Sequence, residues 1–351
     1  MSTGELVRDL RFQAEACREL GSPLYADLLA RVADDVAHGG AVGQVLTGYE
    51  DEPGSSAVGL RLMGTLHRLV LAGEAPALAA YYPSVGGRPD AAGAWQALLG
   101  VVEERTDVVR EGLRRPPQTN EVGRASTLVG GLLHVAAAHR FPVRLVEIGA
   151  SAGLNLRADS FRVETDTPGN GVGWGPTDSP VRLRAWRGAL PPRDAPLRVV
   201  ERRGCDLDPV DATTDEGRLT VTSYVWPDDT ERLARLRGAI EVARAVPAAV
   251  ERSAATDFLD QVEPVEDTTL VVWHSVMWGY LSRDERSAVT RRLDALGSAA
   301  TDRAPVAHLA FEPRRRGGDN WRFVVTLRTW PGGEERELGE AAPHGVPVEW
   351  V

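Results

Sequence analysis

The spacing of hydrophobic residues divides the chain into two regions with different predicted secondary structure. In the first third, apolar residues recur every three or four positions, as they do from Leu6 to Cys17, which predicts amphipathic helices. From Thr119 onward, short apolar runs that are typical of buried strands alternate with helical stretches, and residues 143–148 are the clearest run. This alternation favours a mostly parallel sheet with helices on both faces.

Further strands and helices are predicted along the second region. The predicted strands are residues 198–208, 219–225, 270–274, 306–311 and 321–328, and the predicted helices are residues 230–245, 257–262 and 282–296. Residues 321–330 and 334–338 predict a hairpin near the C-terminal edge, and residues 346–351 predict a last strand. Residues 165–180 are rich in Gly, Pro and Asp, which is typical of a long loop.

Composition and charge exclude several classes of function. The formal net charge is −10, which argues against a nucleic-acid partner held by phosphate contacts. The chain contains no lysine, which excludes Schiff-base chemistry on a side chain and a P-loop lysine. Two distant cysteines, Cys17 and Cys205, cannot form a disulfide framework or a zinc site. With no signal-peptide core and no apolar run of membrane-spanning length, we expect a cytoplasmic protein.

The segment that carries the most chemistry is residues 145–156, in which an apolar strand runs into a glycine-containing bend and a predicted helix. In open α/β sheets, ligands bind at this place, beyond the carboxyl ends of the strands. Gly149 and Gly153 remove side chains so that a ligand can approach the backbone. Glu147 at the strand end would be costly to bury without a partner, and a ligand ammonium or hydroxyl group would supply one.

Features further along the chain fit the same ligand. Asp206 lies at the end of the second predicted strand and is well placed to accept hydrogen bonds from ribose hydroxyls, and Asp208 is the alternative residue for this role. Asp257 can take the amino group of an adenine, and Phe258 can pack on its ring. His274 ends another predicted strand, where it can deprotonate a reaction partner near neutral pH.

Seven motifs along nearly the whole chain then point to a family. They are residues 22–26 (SPLYA), 81–84 (YYPS), 118–124 (QTNEVGR), 146–156 (VEIGASAGLNL), 205–209 (CDLDP), 225–228 (VWPD) and 349–350 (EW). On these motifs the chain resembles the uncharacterised bacterial family called domain of unknown function 2332. Its core also resembles class I S-adenosylmethionine-dependent methyltransferases.

The methyltransferase resemblance implies a cofactor, S-adenosylmethionine, and roles for individual residues. It places Glu147, Gly149, Ser151, Gly153 and Asn155 in the glycine-rich motif around the methionine part of the cofactor, Asp206 at the ribose, and Asp257 with Phe258 at the adenine. The sequence departs from that pattern because Ser151 replaces the usual middle glycine. The spacing from Gly153 to Asp206 also exceeds the roughly 20 residues of a compact unit, which predicts an insertion around residues 165–190.

A second interpretation of the same bend is a serine hydrolase. Residues 149–153 match the G-x-S-x-G nucleophile elbow, with Ser151 as nucleophile. Asp257 or Asp302 followed by His308 or His344 would complete a triad in the required order. The helical sequence before the first strand weighs against this fold, because a hydrolase elbow follows several strands. A third interpretation is a nucleotide-binding protein without catalysis.

We therefore expect an α/β, Rossmann-like, mostly parallel sheet of the class I methyltransferase type, with a helical N-terminal region and a C-terminal β-hairpin. Residues 1–117 would form a helical cap that closes over the site, and residues 118–351 the cofactor-binding domain. The expected reaction is methyl transfer to a small-molecule acceptor, without a metal and without a nucleic-acid or membrane partner. The candidate catalytic residues are His274, Arg124 and Glu121, and Trp273, Trp278 and Tyr280 are candidates for the acceptor pocket.

Overall fold

The computed structural model describes residues 3–52, 54–167, 172–318 and 320–351. These residues form two compact units. The helical unit comprises the described residues of Met1–Thr119 and Thr214–Ala234, and the sheet unit comprises those of Asn120–Thr213 and Arg235–Val351. The helical unit therefore takes in a segment from the middle of the chain as well as the first third.

The helices follow the apolar spacing of the sequence. In chain order they are α1 (Thr3–Glu19), α2 (Pro23–His38), α3 (Ala41–Val45), α4 (Val58–Leu71), α5 (Pro76–Ala79), α6 (Ala91–Glu104), α7 (Thr106–Leu113), α8 (Ala125–His139), α9 (Asp215–Ser223), α10 (Thr230–Ala245), α11 (Ala255–Leu259) and α12 (Arg283–Ser298). The apolar faces of the N-terminal helices form one core, in which Leu28, Leu62 and Leu98 are fully buried. In the described part of the chain, no helix is both long and apolar enough to cross a membrane.

Helix α9 replaces a predicted strand. Residues 219–225 were expected to be extended because valine and threonine are common there, and that prediction is wrong. The side chain of Thr214 accepts a hydrogen bond from the backbone N–H of Gly217, which caps the helix. Asp215 and Glu216 in the first turn add a favourable interaction with the helix dipole.

The sheet unit is built on one mixed sheet of described strands. They are β1 (Val143–Ile148), β2 (Arg162–Thr165), β3 (Gly173–Trp174), β4 (Arg182–Gly188), β5 (Val199–Asp206), β6 (Ala249–Arg252), β7 (Thr269–Ser275), β8 (Val306–Gly317), β9 (Asn320–Trp330), β10 (Glu335–Ala341) and β11 (Val348–Trp350). Their order across the sheet is β3-β2-β4-β11-β10-β9-β8-β7-β1-β5-β6. The sheet is mostly parallel, and the hairpin β9–β10 and the last strand β11 confirm the predicted C-terminal strands.

Five parallel strands give the sheet its Rossmann-like part. The order β6-β5-β1-β7-β8 means that the chain moves outward from β1 in one direction and then returns to add β7 on its other side. The reversal between β1 and β7 is a topological switch point, where the loops at the carboxyl ends diverge and ligands bind in open sheets. The bend after β1 lies at this position.

The chain beyond the bend differs from the expectation. Instead of an α-helix, Leu154–Ser160 forms a short 3-10 helix with a kink at Arg157. Long-range hydrogen bonds hold it, since the backbone N–H of Leu154 donates to Asn120 Oδ1 at 2.8 Å. The amide of Asn155 donates to the carbonyl of Glu121 at 3.2 Å. These contacts hold the start of the segment, where a regular helix would have its own ladder of hydrogen bonds.

The predicted insertion contributes strands to the far side of the sheet. β4 lies within residues 165–190 and pairs with β2 and β11, at the opposite side of the sheet from β5 and β6. Part of the loop predicted over residues 165–180, namely residues 168–171, lies outside the described residues. The long spacing between Gly153 and Asp206 therefore includes strands that extend the sheet away from the bend.

Candidate functional site

The bend after β1 and the end of β5 meet through a carboxylate. Asp206 Oδ2 accepts a hydrogen bond from the backbone N–H of Ser151 at 2.8 Å, and Oδ1 accepts one from the N–H of Asp208 at 3.0 Å. The bend has a left-handed backbone at Gly149 and at Ser151, with φ of 69° and 52°. The structure thus brings Asp206 to the mouth of the bend, and each of its oxygens keeps capacity for a further donor.

Glu147 is buried directly below the bend. Its residue is only 2% exposed, and its Oε2 has no hydrogen-bond partner among the described residues. Burial raises the pKa of the carboxyl from 4.5 to about 8. The Trp273 indole opposes that rise, the negative charge of Asp206 adds to it, and Arg124 and Arg157 reduce it. An orphaned carboxyl of this kind is satisfied when a ligand brings a cation or a donor to it.

A second unpaired polar atom lies on the segment that follows the bend. Asn155 is 2% exposed and uses its amide nitrogen on the Glu121 carbonyl, but its Oδ1 has no partner within the described part of the chain. Buried side-chain oxygens without partners are rare in folded proteins, and each calls for a physical reason. Two such residues at one switch point favour a polar ligand there.

The loop after β7 covers the bend in this conformation. A Cβ atom added at Gly149 would lie 3.0 Å from Met277 Cβ. The loop is tied down because Glu312 Oε1 accepts hydrogen bonds from the N–H groups of Met277 at 3.0 Å and Trp278 at 3.3 Å. Val276 has a φ of 51°, which is strained for a β-branched residue. Strained backbone of this kind clusters at ligand clamps and switch regions.

His274 is committed to other side chains. Its Nδ1 lies 2.8 Å from Glu312 Oε1 and its Nε2 lies 3.0 Å from His308 Nε2, and its ring stacks on Trp278. Burial, followed by the interaction with His274, lowers the pKa of His308 well below its usual value. Both ring nitrogens of His274 are engaged, so in this conformation it holds Glu312 and the covering loop. These contacts are those of a positioning residue, and the role of His274 as a base stays a prediction.

Sequence reasoning missed Glu312. It is a carboxylate, 8% exposed, that directly follows the apolar residues 309–311 of β8, which is the signal that identifies it. A buried acid needs a partner to offset its desolvation. Its partner His274 is 38 positions away.

Glu121 and Arg124 lie in the segment before α8 and tie loops together. Glu121 Oε1 accepts from the N–H of Gly123 at 2.9 Å. Arg124 donates from Nη1 to the Ser275 carbonyl at 3.4 Å and from Nε to the Pro343 carbonyl at 3.3 Å. Arg124 thus joins the end of β7 to the loop before β11. Both residues lie close to the switch point, where they position backbone.

The predicted adenine contacts are not brought together. Asp257 is exposed on α11, where Thr256 is its hydrogen-bond partner. Phe258 is fully buried in the core between the sheet and α12, with the Arg203 guanidinium 5.3 Å from its ring centroid. A ring in that position cannot stack on a base, so Phe258 acts as a core residue in this conformation.

The geometry also bears on the hydrolase interpretation. Ser151 has the left-handed backbone expected of a nucleophile elbow, but its residue is only 7% exposed and no regular α-helix follows it. His308, one of the two candidate bases, is paired with His274. It shares the sheet face of Val306, which packs with α12. Among the described residues, no group of three His, Cys, Asp or Glu could hold a metal ion.

Comparison with protein-family models identifies a family for this chain. A family model described as an uncharacterized protein conserved in bacteria (DUF2332) matches residues 7–350. No curated protein matches the chain, and no solved structure matches it.

Proposed function

The chain belongs to the DUF2332 family of uncharacterized proteins conserved in bacteria, and we propose that its sheet unit is an S-adenosylmethionine-dependent methyltransferase. The observation that carries this proposal is Glu147, a buried carboxyl with an unpaired oxygen below a glycine bend at the switch point. Dinucleotides and related cofactors bind at such switch points. The methionine part of this cofactor carries an ammonium group that Glu147 can take.

The polar groups present fit this cofactor in part. Glu147 fits its ammonium group, and Asp206 fits ribose hydroxyls because it lies at the end of β5 with spare acceptor capacity. Asn155 offers an unpaired oxygen close in sequence to the bend. Phe258 does not contribute, since its ring is in the core. When bound, the cofactor supplies an electrophilic methyl group.

Space at the bend requires the covering loop to move. Met277 Cβ occupies the place next to Gly149, so a change of side-chain rotamer alone does not open it. The loop is held because the N–H groups of Met277 and Trp278 donate hydrogen bonds to the Glu312 carboxylate. Release of the loop would relax the strained φ of Val276, and strain of this kind costs on the order of 1–3 kcal/mol. Binding energy at Glu147 would offset the two broken hydrogen bonds. We therefore propose that loop displacement accompanies cofactor binding.

The hydrogen bonds of His274 indicate which class of methyl acceptor suits the site. With both nitrogens of that ring occupied, the sheet unit offers no free imidazole from this residue for proton removal. Catalysis would then depend mainly on aligning donor and acceptor, which suits an acceptor whose nucleophile is already deprotonated at neutral pH. A small carboxylate has that property, because the pKa of a carboxyl group lies well below 7.

Calorimetric titration with S-adenosylmethionine and S-adenosylhomocysteine tests the proposal. We expect binding by the wild type, and about 10- to 100-fold weaker binding by Glu147→Gln, because a hydrogen bond to a charged group contributes about 1.5–3 kcal/mol. Met277→Gly, which removes the Cβ next to Gly149, should bind more tightly, and the exposed Glu334→Gln should match the wild type. Absence of heat with either ligand, for both wild type and Met277→Gly, would remove the proposal.

A further inference from the structure

Three of the family motifs meet in the helical unit, far along the chain from the bend. Ser22 donates to Asp228 Oδ1 at 2.6 Å, and the N–H of Leu24 donates to its Oδ2 at 2.9 Å. The rings of Tyr25 and Tyr82 are 6.4 Å apart in an edge-to-face arrangement. Segments 22–26, 81–84 and 225–228 therefore form one cluster. The methyl transfer proposed for the sheet unit assigns no role to this cluster.

A serine and a histidine at this cluster have the geometry of a nucleophile and its base. Ser84 Oγ lies 2.8 Å from Nε2 of His67, whose Nδ1 lies 3.2 Å from the backbone carbonyl of Ser223. A carbonyl can only accept, so Nδ1 carries the ring proton and Nε2 is the acceptor for the Ser84 hydroxyl. The Tyr82 ring, 5.5 Å from the imidazole, packs against it. Backbone and ring together fix the tautomer and orientation that a triad requires.

Burial and backbone geometry supply two further requirements of a serine nucleophile, namely a neutral base and a donor for the oxyanion. His67 is fully buried, which lowers its pKa to about 4 despite hydrogen bonds to the Ser223 and Val225 carbonyls, so the ring is neutral at pH 7. Ser84 is only half-buried. Its backbone N–H makes no hydrogen bond to any residue that the structure describes. That N–H is a free donor next to the nucleophilic oxygen, as in an oxyanion hole. Open space lies beside Gly86, two residues further on.

We propose that Ser84, His67 and the Ser223 carbonyl form a second catalytic site, which hydrolyses small activated carboxylic esters. Ser84 Oγ attacks the ester carbonyl carbon and its proton passes to His67 Nε2, while the Ser84 N–H stabilises the oxyanion. The ester C–O bond breaks and the leaving oxygen takes the proton from His67. Water then attacks the acyl-serine, giving its proton to His67, and the carboxylic acid leaves as Ser84 regains that proton. A weakly basic imidazole favours esters with good leaving groups.

Labelling of the full chain with a fluorophosphonate probe tests this site. We expect the labelled peptide, identified by mass spectrometry in the wild type, to contain Ser84. Ser84→Ala should lower labelling and p-nitrophenyl acetate hydrolysis at least about 100-fold, and the exposed Ser287→Ala should leave both unchanged. His67→Gln should reduce labelling similarly while the variant retains the thermal unfolding transition.

The pH profile separates a catalytic role from a merely structural one. Because His67 is already neutral well below pH 6, the labelling rate should change little between pH 5.5 and 8. A label on Ser151 alone would overturn the proposal, as would no label at all on folded wild-type protein. So would a rate that rises tenfold across this range, as expected for an ordinary histidine base.

Discussion

Replacing Glu147 with glutamine should remove the pH dependence that this one buried carboxyl gives to the stability of the sheet unit. Its pKa is raised from 4.5 to about 8, chiefly by burial. Between these two values the folded protein keeps a proton that the unfolded chain has lost. The free energy of unfolding therefore falls as pH rises from 4.5 to 8, and the loss is complete above pH 8.

The magnitude follows from the two pKa values. One pKa unit corresponds to 1.36 kcal/mol, so ionising Glu147 in the folded protein costs about 5 kcal/mol. Near pH 5 the wild type and Glu147→Gln should be about equally stable, because both side chains are neutral. At pH 9 the variant should be more stable by that amount, which for a unit of about 200 residues is on the order of 10 °C in the thermal midpoint.

Thermal unfolding of both proteins from pH 5 to 9 measures this difference. Only the difference between them matters, since it cancels the contributions of other titrating groups. Glu334→Gln removes an exposed charge from the same unit and should follow the wild type at every pH. Midpoints of Glu147→Gln and wild type that stay parallel over the whole range would refute the buried, unpaired state assigned to Glu147.

Four further predictions concern packing, the bend and ligand binding. Gly130→Ala should destabilise the protein by about 1–3 kcal/mol, because the new Cβ would lie 2.1 Å from the buried ring of Trp350. Gly100→Ala, with open space at its Cβ, should instead stabilise helix α6 by up to about 1 kcal/mol, and thermal unfolding measures both. Asp206→Ala should lower the unfolding free energy by about 2 kcal/mol, since two backbone N–H groups lose their acceptor, and chemical denaturation measures that. If a ligand ammonium pairs with Glu147, affinity should rise with pH up to about 8 and then level off, with proton release seen as buffer-dependent heats.

Local patterns were enough to predict much of the fold. The continuous apolar run at residues 143–148 became β1 with the same bounds, because a strand buried on both faces needs no polar alternation. The helix predicted from residue 282 is α12, which begins with a capping box in which Ser282 and Glu285 form both reciprocal hydrogen bonds. In both places the interactions that decide the structure lie within one element, so the sequence displays them.

Predictions failed where distant residues decide the conformation. The segment after Gly153 had the composition of a helix start, but Asn120 takes its first N–H group and a 3-10 turn results. Phe258 was assigned to a ligand from its place beside Asp257, while the apolar neighbours of its ring come from other strands and from α12. Neither tertiary contact has a signature in the local sequence.

The two candidate sites differ in how far sequence could locate them, and the reason is the range of their interactions. The bend at residues 149–153 is a contiguous motif whose position at a switch point follows from strand order, so its residues and their neighbour Asp206 could be named in advance. Ser84 and His67 lie on separate segments of the helical unit, and the acceptor that fixes the imidazole is a backbone carbonyl. Every residue has a backbone carbonyl, so a sequence does not indicate which carbonyl orients a histidine. A base oriented in this way is identified only in the folded structure.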